Sequence, residues 1–272
     1  MDIRLIASDL DGTLLDDRKN ISERTWKAID SAVKKGILFV PVTGRIPDAL
    51  PEKLRTPPIG RYAITVNGAG VWDLAENKVI HRAEIPKERA IAIAHFMRRY
   101  GTMYDCYAGG RGYMEEYYYD QIGTYCLEAY RPMIRETRTP VKDLIEFLES
   151  GGDVQKMQMF FIDLDLRIRA MRELQEEFPD TAVTSSISNN IEVNIKEANK
   201  GQALQVLCGH LGIDMENVLA FGDGGNDVTL LRAAGTGVAM ANGCREAKEA
   251  ASQVTESNED DGVAVFLEKY VL

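Results

Sequence analysis

Two rhythms of apolar residues alternate along the first third of this chain. "IRLIAS" (Ile3–Ser8), "ILFVPV" (Ile37–Val42) and "YAITV" (Tyr62–Val66) are short, nearly continuous apolar runs, the pattern of strands buried on both faces. Between the first two, "ISERTWKAIDSAVKKG" puts Trp26, Ile29 and Val33 on one helical face, with Ser22 as N-cap and Gly36 as the stop. The last third repeats the rhythm. "KGQALQVLCGHLG" stacks Leu204, Leu207 and Leu211 on one side and stops at Gly212. "VLAFG" (Val218–Gly222) and "GVAM" (Gly237–Met240) read as strands around a helix over Asn226–Ala234. A short helix from about Arg245, a brief strand near Gln253–Thr255 and a closing helix complete the pattern. Strands alternating with helices predict a parallel sheet with crossover helices.

The middle is patterned differently. Pro86 opens and Gly101 closes a helix over "PKERAIAIAHFMRRYG", and the glycines of "TMYDCYAGGRGYMEEYYY" predict a hairpin turn between two strands. "VQKMQMFFI" (Val154–Ile162) begins with the alternation of a half-buried strand, "DLRIRAMRELQEEF" is an amphipathic helix, and "AVTSSI" and "IEVNI" are further strands. The expected fold is therefore α/β: a Rossmann-like, doubly wound, mostly parallel sheet formed by residues 1–83 and 191–272, with an α/β insert over 84–190.

Composition narrows the partners. With 45% hydrophobic and 27% charged residues the chain reads as a soluble globular protein, and no apolar run approaches the ~20 residues needed to cross a bilayer. The N-terminus lacks the basic start and apolar core of a secretory signal. A net charge of −10 argues against a nucleic-acid surface and favours small molecules and metal cations. Cys106, Cys126, Cys208 and Cys244 are scattered without a C-x-x-C pair, which suits reduced thiols in a cytoplasmic protein, with Cys106 and Cys126 expected to be buried. Oligomeric state is left open.

In open parallel α/β sheets, ligands bind beyond the carboxyl ends of the strands. Here those ends carry Asp9-Leu10-Asp11-Gly12-Thr13, Thr43-Gly44-Arg45, Asn67-Gly68 and Gly222-Asp223-Gly224-Gly225-Asn226-Asp227, and Lys200 opens a helix that can aim at the same rim. Asp9 and Asp11, two apart in extended chain, address one ligand. Carboxylates this close repel unless a cation compensates or one stays protonated. A few oxygen ligands suit Mg²⁺, and Mg²⁺ with a lysine and backbone donors makes a site for a phosphoryl group. His81, His95 and His210 lie away from these turns, and no G-x-S-x-G, H-E-x-x-H or G-x-x-x-x-G-K-[ST] occurs, so proton transfer at this rim falls to a carboxyl group.

In this order, "DLDGTLL", "VTGR", "NKGQAL" and "GDGGND" resemble the four motifs of the haloacid dehalogenase superfamily of phosphatases, and the insert and C-terminal stretch resemble its Cof-type subgroup with a large α/β cap. The resemblance implies a core over 1–83 and 191–272 and a specificity-setting cap over 84–190. It further implies a Mg²⁺-dependent phosphomonoesterase acting on small phosphorylated metabolites, sugar phosphates in particular. Asp9 would be the nucleophile that becomes an aspartyl-phosphate and Asp11 the acid and base. Asp9, Asp11 through its backbone carbonyl, Asp223 and Asp227 would hold the metal, with Asp227 acting through water or from behind. Thr43, Gly44, Lys200 and Asn226 would hold the phosphoryl oxygens. A phosphosugar mutase and a non-catalytic phosphate-binding module are the alternatives. Asp16 and Asp17 read as a solvated loop, Asn67 either as a turn residue or as part of the rim, and Tyr113 and Tyr117–Tyr119 as hairpin packing. Arg45 is expected either to hold a loop or to touch substrate.

Overall fold

The computed structural model describes residues 2–125, 128, 131–185 and 187–272. Cys126 lies outside them; Cys106 and Cys208 are buried thiols. The chain divides into two compact units, one of Met1–Arg82 with Asn199–Leu272 and the other of Ala83–Ala198. In chain order the first unit begins with β1 (Leu5–Ser8), α1 (Glu23–Lys34), β2 (Leu38–Pro41), β3 (Tyr62–Thr65), β4 (Gly70–Asp73) and β5 (Lys78–Arg82). The second unit follows with α2 (Lys87–Arg98), β6 (Tyr104–Ala108), β7 (Arg111–Glu115), α3 (Glu116–Asp120), α4 (Ile122–Tyr125), α5 (Arg131–Thr137), β8 (Arg138–Val141) and α6 (Leu144–Ser150). It continues through β9 (Lys156–Phe160), α7 (Leu164–Glu177), β10 (Thr181–Thr184) and β11 (Asn190–Ile195). The first unit then resumes with α8 (Lys200–Leu211), β12 (Val218–Gly222), α9 (Val228–Ala233), β13 (Thr236–Ala239), α10 (Arg245–Ala250), β14 (Gln253–Val254) and α11 (Gly262–Tyr270).

The main sheet of the first unit is parallel throughout, in the order β14-β13-β12-β1-β2. Alternate residues of its strands enter opposite cores, as strand geometry requires. Ile6, Phe39, Leu219 and Phe221 pack with α1 and α11, through Ile29 and Phe266 among others. Leu5, Val40, Val218 and Ala220 pack with Leu204 and Leu207 of α8. Helices on both faces explain why these strands read as unbroken apolar runs. Ser8 of β1 lies in register with Phe221 of β12 on one side and Pro41 of β2 on the other, so the ends of all three strands open onto one rim. No helix among the described residues is long and apolar enough to cross a membrane.

Several local expectations change. The "YAITV" segment touches the parallel sheet through a single Val42–Ile64 bridge and pairs instead with β4, in an antiparallel β3-β4-β5 sheet. Tyr117–Tyr119 lie on α3, not in the hairpin, although Tyr113 is on β7 and stacks on Phe147. Ala83 and residues 191–198, expected in the core, belong to the second unit; β11 pairs with β9 and β10 and buries Ile191 and Val193 there.

The second unit is a six-stranded sheet, β10-β11-β9-β6-β7-β8, antiparallel except for the β7–β8 pair. β9 is buried along its whole length, not half-buried as its alternation suggested. Its polar positions are satisfied internally: Lys156 pairs with Glu192 at 2.6 Å, and Gln158 donates to Asp105, which also pairs with the buried Arg138 at 2.8 Å. Buried charges need such partners, since an unpaired one is strongly destabilising.

Candidate active site

The rim above β1, β2 and β12 gathers most of the expected residues. Asp9 follows β1 directly, and its backbone N–H still bonds Phe221 of β12. Its carboxylate accepts a hydrogen bond from the Lys200 ammonium at 2.6 Å, and the same ammonium donates to Asp227 at 2.5 Å. Lys200 is 1% exposed. It sits at the first position of α8, where side chains lean back toward the helix start, and Asn199 caps that helix by accepting from the Gln202 N–H. The second residue, Gly201, lets α8 approach α9 closely: a Cβ there would stand 2.2 Å from the Thr229 carbonyl oxygen.

Asp227 uses both oxygens. One receives Lys200, and the other accepts the backbone N–H groups of Asp223 and Gly224 at 2.9 and 2.8 Å. It therefore ties the lysine to the loop after β12. Asp223 in turn accepts from the Thr13 hydroxyl at 2.7 Å, joining that loop to the one after β1. Carboxylate oxygens of Asp9, Asp223 and Asp227 all lie within 4.8 Å of one another. Burial and the Asp227 charge push the Asp9 carboxyl well above the usual carboxylate range against the pull of Lys200, and burial with the same Asp227 charge raises Asp223 to about 6. Lys200 shows the opposite balance: burial disfavours its charge, but Asp227 and Asp9 outweigh this and raise it.

Asp11 stands apart from that cluster. Arg45 grips its carboxylate with two hydrogen bonds, Nε at 2.8 Å and Nη2 at 2.7 Å, and Lys19 pairs with it at 2.9 Å. Partial burial works to raise its carboxyl, yet Arg45 and Lys19 hold it below the usual range, so it is an ionised carboxylate here. Gly12 makes the sharp turn behind it at φ +87°, and a Cβ would stand 2.4 Å from an Asp223 oxygen.

The loop after β2 is fixed by Thr43, which is buried; its hydroxyl accepts the Arg45 N–H at 3.2 Å and its carbonyl accepts the Asn67 N–H. Asn226 donates to Asn67 at 3.2 Å, and Gly44 lies directly against the same Asn67 oxygen. Sequence reasoning placed Asn67 at the rim without giving it a role, and assigned nothing to Lys19. The missed signal lies in the backbone beside Asn67. Buried Val66 has φ +51° and Asn67 φ +57°, and for a β-branched residue that conformation is strained and needs a reason. Here it turns the end of β3 back so that Val66 N–H reaches the Arg45 carbonyl.

A family model described as haloacid dehalogenase-like hydrolase matches residues 6–267. The chain belongs to that family. Among curated relatives of this hydrolase, a 5-amino-6-(5-phospho-D-ribitylamino)uracil phosphatase of Bacillus subtilis (strain 168), YcsE, is 33% identical over 276 residues, covering 100% of this chain and 97% of that protein. Phosphatase YwpJ of the same organism is 30% identical over 286 residues, covering 96% and 98%. A solved haloacid dehalogenase-like hydrolase of B. subtilis superposes with a TM-score of 0.84 at 28% identity, over 99% of this chain and 100% of that one.

Proposed function

We propose that this hydrolase is a Mg²⁺-dependent phosphatase that cleaves small phosphate monoesters through an aspartyl-phosphate on Asp9. The observation that carries this reading is the buried Lys200 held between Asp9 and Asp227 beside Asp223, at the carboxyl ends of parallel strands. An oxygen-only donor set of clustered carboxylates fits a hard cation. Asp9, Asp223 and the Asp11 backbone carbonyl would hold Mg²⁺, with Asp227 fixing the Asp223 loop from behind, and the ion would supply the positive charge that the clustered carboxylates and a phosphoryl dianion require.

The chain's own residues account for the remaining chemistry. An Asp9 oxygen attacks phosphorus as the ester P–O bond breaks, and the departing oxygen takes a proton from Asp11. Water then attacks the same phosphorus, Asp11 recovers the proton, and inorganic phosphate leaves Asp9 free. Asp11 is ionised in its pair with Arg45, so it is ready to serve as the base; to act as the acid it must first exchange that contact for a proton. Lys200, Thr43, Gly44 and Asn226 are the groups proposed to hold the phosphoryl oxygens. The inserted second unit is proposed to set specificity for the leaving group. Phosphates of sugars and sugar alcohols are the proposed substrates, a class that includes the ribityl phosphate in the name of the first relative.

The decisive experiment incubates the protein with Mg²⁺ and a panel of sugar, sugar-alcohol and nucleotide phosphates, with 5-amino-6-(5-phospho-D-ribitylamino)uracil among them, and measures released phosphate. Asp9→Asn is expected to lower kcat by roughly 10⁴-fold or more, since it removes the nucleophile and keeps the shape. Undiminished turnover by that variant, or turnover indifferent to chelator, would rule out the mechanism.

A further inference from the structure

One surface of the second unit is left unexplained by its own packing. Ile162, Leu164 and Ile168 cluster on a single stretch at 59, 51 and 61% exposure. Helix α7 is anchored on its other side by Ala170 and Leu174. Leu164 and Ile168 are four residues apart and so share a face, and Arg172 continues the same line. Single exposed apolar residues are ordinary, whereas Leu164 and Ile168 stand one turn apart on the same exposed helix face, with Ile162 just before it.

The charges along α7 indicate what covers it. Helix α7 opens with Asp165, continues with Arg167, Arg169 and Arg172, and ends with Glu173, Glu176 and Glu177, so acidic, basic and acidic positions follow one another. Glu173 and Glu177 are engaged within the unit, by Tyr100 and Arg99. Asp165, Arg172 and Glu176 are exposed. A parallel copy of the helix would set like charges together. An antiparallel copy, related by a two-fold axis beside Ile168, sets Asp165 of each helix opposite Arg172 of the other, with Leu164 and Ile168 between them. A patch that complements itself in this way generates a closed two-fold dimer.

We propose that α7 and the residues leading into it form a homodimer interface, in which each copy buries Ile162, Leu164 and Ile168 against the other and closes the contact with reciprocal Asp165–Arg172 pairs. This inference is independent of the catalytic reading, since none of these residues belongs to the rim around Asp9.

Sedimentation velocity over a concentration series tests it, with circular dichroism confirming that each variant is folded. The wild type is expected to show a monomer–dimer equilibrium, and Ile168→Glu to raise its dissociation constant by about 30-fold or more, as loss of a central contact does. Asp165→Arg and Arg172→Asp are each expected to weaken the dimer about 10-fold, and the double reversal to restore it to near the wild-type value. A wild type that stays monomeric at its highest soluble concentration overturns the proposal. So does an oligomer indifferent to Ile168→Glu, or a double reversal no tighter than the single ones.

Discussion

Two aspartates separated by one leucine end up in opposite electrostatic environments. Asp9 is buried among carboxylates opposed by Lys200, and Asp11 is more exposed and gripped by Arg45 and Lys19. One is therefore pushed above the usual carboxylate range and the other below it. A raised carboxyl by itself suits an acid, so the proposed division, with Asp9 as nucleophile and Asp11 as proton-transfer group, requires a bound cation to return Asp9 to its ionised form. Arg45→Ala tests the division. Removing the guanidinium is expected to raise the Asp11 carboxyl, so the acidic limb of the kcat profile should move to higher pH. A fall in kcat of about 10- to 100-fold, below the usual range for losing the acid–base group itself, should accompany it. An unmoved limb would show that Arg45 only supports the loop.

At the scale of elements, the sequence was most legible where one face or both faces of an element are apolar. The runs of β1, β2 and β12 and the stripes of α1 and α8 announced parallel strands covered by helices, and the rim residues followed from the strand ends. What escaped was decided by contacts far away in the chain. "YAITV" has the composition of a buried parallel strand, but its partner is β4, a neighbour that local pattern did not reveal. Lys156 and Gln158 alternate like solvent-facing positions, whereas Glu192 and Asp105 supply partners that keep them inside. Arg45 had two plausible roles in sequence; its bidentate grip on Asp11 depends on where the β2 loop stands relative to the β1 turn. That turn gives a sharp prediction. Gly12→Ala adds a methyl where Asp223 already stands and imposes a side chain at φ +87°. It is expected to destabilise the fold by about 1–3 kcal/mol and to lower kcat by at least about 10-fold, through displacement of Asp223. Thermal unfolding and steady-state kinetics on the one variant check both.

For the whole molecule, the raised Asp223 carboxyl is expected to make stability depend on pH. The folded state holds a proton on Asp223 up to about pH 6, whereas an unfolded aspartate releases it near pH ~3.9. The native state therefore binds the proton more tightly, and this contribution is complete below about pH 4 and lost as pH rises through about 6. In chelator, Asp223→Asn is expected to be more stable than the wild type at pH 7 by about 2 kcal/mol, with the difference vanishing near pH 4. Mg²⁺ should raise Tm of the wild type at pH 7 and have much less effect on that variant. Calorimetry at the two pH values, with and without the ion, checks both expectations. The division of the chain also bears on its synthesis. β1 lies between β2 and β12 in the sheet, yet the whole second unit is translated between those two strands. At ~5–20 residues per second, β1 waits on the order of 10–40 s for its second neighbour, with its β12-facing edge unpaired. The contiguous second unit can fold as it emerges. The first unit spends that interval as an unfinished sheet, and its nascent chain is the form that a ribosome-associated chaperone would have to protect.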